Sequence, residues 1–428
     1  MKKSKSYYTI SLFSGGMGLD LGLERAGLTI ISAIEKDKNC CETIRLNRPG
    51  VHLIEDNVRN ISPAGMLKDL GVKDIFLLAG GPPCQSFSTA GKRAGLNDPR
   101  GNLILEYFRF IKEIRPKYFV FENVSNIITA ALKHRPIDKR PGKKWNLSSY
   151  SKSEKNIKIE DNDPLKEDEL SGSAFRYLLS EIVKLNYSIK FGIVNSADFG
   201  SSQKRTRLAM IGSRDSLAPD LPSPTHGESG NGLTPYITIK DTIYDLLKNP
   251  GEHSTYGEKM ASFFKKIPPG GNWRALSVEE QKEALGVSYY SGGGKTGFMR
   301  RLSWDELCPT LTIRPNRKGT SLCHPEETRP LSVKEYSRIQ GFPDDWVFAG
   351  SMSSKYQQIG NAVPVNLGQI LGETILNHDI MEPCQGNAFI PTSIDELLHM
   401  HEEAILKLRT YACNKRAKPK KQIQLNLV

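Results

Sequence analysis

Four short apolar runs within the first 125 residues constrain this chain more than any other feature, because each ends on small or polar residues. Residues 8–13 (YTISLF) meet the cluster Ser14-Gly15-Gly16, and residues 28–34 end at Glu35. Residues 74–79 (DIFLLA) run into Gly80-Gly81-Pro82-Pro83, and residues 117–121 (KYFVF) into Glu122-Asn123. Apolar runs of this length bounded by turn formers read as buried strands. Segments of helical length separate them, and residues 19–26 carry apolar side chains at helical spacing. The alternation predicts an α/β fold, a parallel sheet with helices on both faces. In such sheets ligands bind beyond the carboxyl ends of the strands. All four polar clusters fall there.

Composition excludes other classes. A chain of 428 residues suits two or three domains, and 38% hydrophobic with 25% charged residues excludes wholesale disorder. No run approaches the roughly 18 apolar residues that span a bilayer. The opening MKKSKSYYTISLFSGG reads as the approach to a first strand rather than a signal peptide. Seven cysteines, odd in number and without metal-ligand spacing, predict a reduced cytoplasmic protein that makes no use of a membrane. Lys plus Arg exceed Asp plus Glu by 59 to 47, a net +12 that suits a polyanionic partner. Plain basic enzymes share that balance.

Residues 133–170 break the pattern, with ten Lys/Arg and eight Asp/Glu and almost no apolar periodicity. They read as a mobile surface insertion. Sheet-like sequence resumes at 187–194 and 207–212. Residues 215–325 are rich in Gly, Pro and Ser, as in a second, less regular domain. A helix is expected at 365–376, and another at 393–409 opening with the capping box Ser393-x-x-Glu396. The tail at 414–421 (NKRAKPKK) is basic and reads as disordered.

The glycine cluster can present backbone N–H groups to a ligand at a helix N-terminus, and Glu35 can accept from a ribose diol. Gly16-x-Gly18-x-x-x-Gly22 also approaches a dinucleotide fingerprint, but Leu21 stands where the third glycine belongs. A plain strand-to-helix turn is a further reading. In Gly81-Pro82-Pro83-Cys84-Gln85-Ser86, two prolines fix the backbone just before a cysteine, which suits a presented nucleophile. Glu122, directly after an apolar strand, is expected to be desolvated and to hold a proton more tightly than an ordinary carboxylate. Arg205 and Arg207 alternate into the next strand and would share one face. Gly292-Gly293-Gly294-Lys295-Thr296 resembles a phosphate loop, but Tyr289 occupies its glycine position, so it reads as a loop of the second domain.

In order, PPCQ with Ser-Phe-Ser, ENV, QKRTR, the stretch from Arg329 through Glu335 to Ile339-Gln340-Gly341-Phe342-Pro343, and QIGNAVPV resemble the DNA cytosine-5 methyltransferases. The resemblance spans about residues 8–126, 187–212 and 300–377. It departs at Met17, where the family usually has glycine; the backbone there is expected not to need positive φ. The resemblance implies a Rossmann-like methyltransferase domain over 1–213, a target-recognition domain over 214–328, a return to the catalytic domain over 329–380, and a C-terminal extension over 381–428. It further implies methylation of C5 of a flipped-out cytosine in double-stranded DNA, with S-adenosyl-L-methionine and no metal. Cys84 would add to C6, Glu122 would hold N3 and the exocyclic amine, Arg207 would contact O2, and Arg205 would support it. The cofactor pattern falls on Phe13, Ser14, Gly15, Gly18, Glu35, Asp56, Asn57, Leu103, Asn361 and Val363. Residues 88–100 would form a lid. The size and lack of regulatory domains resemble bacterial modification enzymes, so a monomer that shields host DNA from a cognate restriction endonuclease is expected.

Three other readings fit less of the chain. A tRNA cytosine methyltransferase would carry Cys-Phe-Thr, which is absent. An NAD-dependent oxidoreductase leaves PPCQ and QKRTR unexplained. A silent DNA-binding module would be expected to lose Cys84 or Glu122, and both are present.

Overall fold

The computed structural model describes residues 7–83, 103–133, 166–230, 232–290, 297–381 and 389–414, with side chains as far as Tyr411. Cys84, the segment 88–100, the charged stretch from 134 to 165, the glycine cluster at 292–296 and the tail beyond 414 lie outside the described residues.

One sheet contains β1 (Tyr8–Leu12), β2 (Thr29–Glu35), β3 (His52–Glu55), β4 (Leu77–Gly80), β5 (Tyr118–Val124), β6 (Ser188–Asn195) and β7 (Thr206–Ser213), in the order β3-β2-β1-β4-β5-β7-β6. The first five strands pair in parallel. The expectation of a parallel sheet fails at the far edge, where β7 runs antiparallel to both β5 and β6. Residues 196–205, which join β6 to β7, hold only a 3-10 turn and a two-residue strand. A parallel neighbour needs a crossover of about a dozen residues or more, commonly a helix.

Side chains alternate between the two faces of the sheet. Leu77, Ala79, Tyr118, Val120, Ala209 and Ile211 enter one core, whereas Leu78, Phe119, Phe121, Leu208 and Met210 enter the other. Helices α1 (Gly18–Ala26), α2 (Lys38–Asn47) and, late in the chain, α6 (Val365–Met381) supply the first core. The second is closed by α3 (Pro63–Asp69), α4 (Leu103–Ile114), α5 (Ser173–Ile182) and α7 (Ile394–Asn414). The expected capping box of α7 is present, with the Ser393 amide donating to Glu396 Oε2 at 2.7 Å and the Glu396 amide to Ser393 Oγ at 3.3 Å. This C-terminal helix buries Leu397 and Ala404 against the second core, so it is packed as part of the main body.

Helices α1 and α6 approach closely through glycine. A Cβ on Gly18 would meet the Val363 carbonyl oxygen at 2.2 Å, and one on Gly22 the Val365 carbonyl oxygen at 2.2 Å. Gly22 is therefore a helix-packing residue, which explains why it does not keep the dinucleotide register.

Between β7 and α6 the chain builds a third, smaller core from Tyr256, Phe263, Phe264, Ile267, Trp273, Leu285 and Met299. Ile239, Ile243, Leu246, Leu302, Cys308 and Leu311 from the same region join the first core instead. A two-residue strand pairing, Cys308–Pro309 with Gln203–Lys204, stitches the region to the approach to β7.

Candidate active site

The β1–α1 turn is tight enough to force unusual backbone. Gly15 lies at φ 53, and a Cβ there would meet nothing within 4 Å. Met17 caps α1 at φ 65, ψ 28, contrary to the expectation that this position needs no positive φ. A left-handed non-glycine residue costs roughly 1–2 kcal/mol. The Met17 side chain is fully buried, which contributes about 1.5–3 kcal/mol in the other direction. Its amide also donates to the Ser14 carbonyl at 2.8 Å. Burial of the side chain holds the strained backbone in place.

Facing this turn, Glu35 ends β2. Its Oε2 accepts from the Gly15 amide at 2.8 Å, and Oε1 accepts from the amides of Lys36 at 2.8 Å and Asp37 at 2.9 Å. The carboxylate is thereby aimed by three backbone donors and still borders open space. After β3, Asp56 Oδ1 accepts from the Asn57 amide at 2.6 Å and from Asn60 Nδ2 at 2.8 Å. Asn57 caps the next turn through the Arg59 amide at 3.2 Å. Leu103 opens α4 and is buried.

At the β5–β7 end the groups are charged and buried. Glu122 is 7% exposed, and its Oε1 lies 2.8 Å from Arg207 Nε. Burial pushes the Glu122 carboxyl above the ordinary carboxylate range, and Arg207 and Arg205 pull the other way without cancelling it. The desolvation expected from sequence is present. Arg205 is buried; its guanidinium donates to the carbonyls of Gly360 at 3.0 Å, Asn361 at 3.3 Å and Leu311 at 3.4 Å. Asn123 Nδ2 donates to the Pro82 carbonyl at 3.0 Å, tying the Gly-Gly-Pro-Pro stretch to the end of β5.

Buried amides hold the late segments against this end. Gln203 Nε2 donates to Gln340 Oε1 at 2.5 Å, and Gln340 Nε2 donates to the carbonyls of Ile359 at 2.6 Å and Ala362 at 2.9 Å. Arg329 grips Glu335 through two bonds of 2.8 and 2.9 Å, both partners buried. The sequence marks these residues without showing that they serve the late segments' placement.

One cleft of ≈ 1900 Å³ collects Phe13, Ser14, Gly15, Gly18, Glu35, Asp56, Asn57, Leu103, Asn361 and Val363 with Glu122, Arg205 and Arg207. Pro83, the residue before Cys84, also lines it. The sequence reading passed over Asp20, a buried lining residue in the first turn of α1. An acid directly behind the glycine turn was the available signal.

The model of the family described as C-5 cytosine-specific DNA methylase matches residues 7–136 and 163–377. Its gap falls inside the stretch expected to be an insertion. The chain is 37% identical over 378 residues to the Type II methyltransferase M.Sau96I of Staphylococcus aureus, covering 88% of this chain and 77% of that protein. It is 38% identical over 383 residues to the Type II methyltransferase M.Eco47II of Escherichia coli, covering 88% and 80%. Among solved structures, the methyltransferase EhMeth of Entamoeba histolytica superposes with a TM-score of 0.55 at 17% identity, over 89% of this chain and 100% of that one. That likeness concerns the fold. No helix among the described residues is long and apolar enough to cross a membrane.

Proposed function

The chain belongs to the C-5 cytosine-specific DNA methylase family, and from that premise we propose how its residues divide the work of a DNA (cytosine-5-)-methyltransferase. Cytosine C5 is a poor nucleophile until a group adds at C6. Cys84 supplies that group as a thiolate, forming an S–C6 bond and pushing electrons toward C5 and N3. Glu122, with its proton held tightly, donates to N3 and accepts from the exocyclic amine as charge develops on the ring. Arg207 binds O2, and Arg205 fixes the surrounding carbonyls. S-adenosyl-L-methionine, when bound, supplies the methyl group that C5 takes up. Transfer of the C5 proton to water, return of the N3 proton to Glu122 and departure of the Cys84 sulfur from C6 as thiolate then restore the ring.

The residues near the glycine turn fit such a cofactor. Gly15 leaves open space at the turn, and Glu35 is aimed by three amides. Glu35 takes the ribose, Asp56 and Asn57 the adenine edge, and Leu103 an apolar face. Phe13, Ser14, Gly15, Gly18, Asn361 and Val363 surround the methionine end. The observation that carries the proposal is that this group and the Glu122–Arg207 pair line one cleft of ≈ 1900 Å³. A single drug-sized ligand needs roughly 300–1,000 Å³, so a cofactor and a flipped base have room together. Flipping a base costs a few kcal/mol, offset by the phosphate contacts that a +12 chain can make with double-stranded DNA.

The Type II names of the relatives support a bacterial, cytoplasmic modification enzyme. It acts as a monomer and shields host DNA from a cognate restriction endonuclease. DNA containing 5-fluorocytosine tests the chemistry, because fluorine cannot leave as a proton does. A denaturation-resistant protein–DNA adduct is expected from the native protein and none from Cys84→Ser. An adduct that persists in Cys84→Ser removes Cys84 from the nucleophile's role.

Sequence choice is assigned to residues 214–328, which carry their own small core and reach the cleft through Arg300, Glu306, Leu307 and residues 309–313. Base edges in the major groove would be read from there. Exchange of 215–325 for a relative's segment, retaining Ile239, Ile243, Leu246, Leu302, Cys308 and Leu311, should change the methylated sequence. Bisulfite sequencing reads the outcome, and an unchanged sequence returns specificity to the larger domain.

A further inference from the structure

One carboxylate in the cleft has no part in the chemistry above. Asp20 is 1% exposed, and neither Oδ1 nor Oδ2 has a hydrogen-bond partner among the described residues. Buried polar groups are paired in the great majority of cases, and an ionised carboxylate left unpaired is costly. Its surroundings aggravate the cost. Glu24 on α1 and Glu35 at the end of β2 both oppose a negative charge. The Ser11 hydroxyl on β1 and the Asp20 amide favour the charge, but less than burial opposes it; Ser11 itself accepts from the Ser14 hydroxyl at 2.8 Å. Burial above all, with the two glutamates, pushes Asp20 up to about 7. The folded chain thus keeps two acceptor atoms and a latent negative charge on the wall of the cleft.

The order of the strands says what belongs there. Moving across the sheet from β3 to β5, the cleft presents Asp56, then Glu35, then the Gly15 turn with Asp20, then Gly81, then Glu122. If Asp56 and Glu35 take the adenosine and Glu122 the base, Asp20 stands between them, beside the amino-acid end of the cofactor. A sulfonium has no hydrogen to donate, whereas an ammonium offers three donors and a full charge. Resting on the cofactor reading above, we infer that Asp20 is the receptor for the α-ammonium group of S-adenosyl-L-methionine, a pair that the folded chain leaves half-built.

Calorimetry on the whole protein tests this with two probes, S-adenosyl-L-homocysteine and its analogue bearing hydrogen in place of the α-amino group. In the free protein Asp20 holds a proton below about pH 7, and it must lose that proton to receive the ammonium. Affinity for S-adenosyl-L-homocysteine should therefore fall about eightfold from pH 7.5 to pH 6, in proportion to the ionised fraction. At pH 6.5, binding should release most of one proton, measured from buffers of different ionisation enthalpy. The des-amino analogue should show neither effect. Asp20→Asn, first verified as folded by its melting transition, should bind S-adenosyl-L-homocysteine about tenfold or more weakly at pH 7.5 and the analogue as the native protein does. Equal loss for both probes, or a native affinity independent of pH and of the amine, overturns the inference and leaves the cofactor site standing. Failure of the native protein to bind either probe overturns the cofactor site, and this receptor with it.

Discussion

The two ends of the cleft are built on different principles. At the β1–β3 end, the functional acceptors are oriented by their immediate neighbours: Glu35 by the amides of Gly15, Lys36 and Asp37, and Asp56 by Asn57 and Asn60. These groups border solvent, and their partners are mostly a few residues away. At the β5–β7 end, the groups are buried charges and amides held by remote parts of the chain. Arg205 reaches Gly360, and Gln203 reaches Gln340. One end can tune affinity with little consequence for the fold. The other cannot lose a charge without leaving its partner buried and unpaired.

Glu122→Gln attacks the buried end at its reacting group. Turnover should drop about 10²–10³-fold, the range for removing one group that stabilises developing charge. Calorimetric affinity for S-adenosyl-L-homocysteine should stay within about threefold, because Glu122 faces the base. A parallel loss of cofactor affinity would erase the distinction between the two ends.

Asp20, between the ends, is tested through stability and pH. Its folded value of about 7 lies above the ordinary 3.8, so the folded chain binds this proton more tightly than the unfolded chain does. Stability from Asp20 is full below about pH 4 and falls as pH rises through about 7. A shift of about three units corresponds to roughly 4 kcal/mol as an upper bound. Asp20→Asn should therefore melt higher than the native protein at pH 8 and gain little at pH 4. A gain independent of pH would mean that the side chain's ionisation is not what the fold resists.

The smallest effect is expected at the locally built end. Glu35→Ala and Asp56→Ala should each weaken S-adenosyl-L-methionine binding by about 1–3 kcal/mol, the worth of a hydrogen-bond partner. Chemical denaturation should leave Asp56→Ala close to native stability, since its side chain is exposed. Unchanged affinity in both variants would move the pocket away from the β2 and β3 ends.

Much of this was legible in the chain. Apolar runs ending at Gly15, Glu35 and Gly81 located three strand ends, whereas β5 runs on through Glu122 and Asn123 to Val124, because its pairing with β7 continues there. Burial of Glu122 followed from the four apolar residues before it. The direction of β7 did not follow, since an apolar run reads the same in a parallel or an antiparallel sheet. Nor did the backbone at Met17: the residue type disfavours positive φ, and only the depth of its side chain shows why the conformation persists.

By itself, the sequence determined the alternation of strand and helix, the residue types at each strand end and the family those residues mark. These depend on local pattern and on chemistry that few side chains can supply. Tertiary structure decided which distant groups meet. Val363 lies over Gly18 because glycines let α6 approach α1. Arg205 is held by carbonyls more than 100 residues away, and Asp20 is buried beside Glu24 and Glu35 with no carboxylate hydrogen bond among the described residues. Such pairings depend on burial and long-range contact, and a linear pattern carries neither.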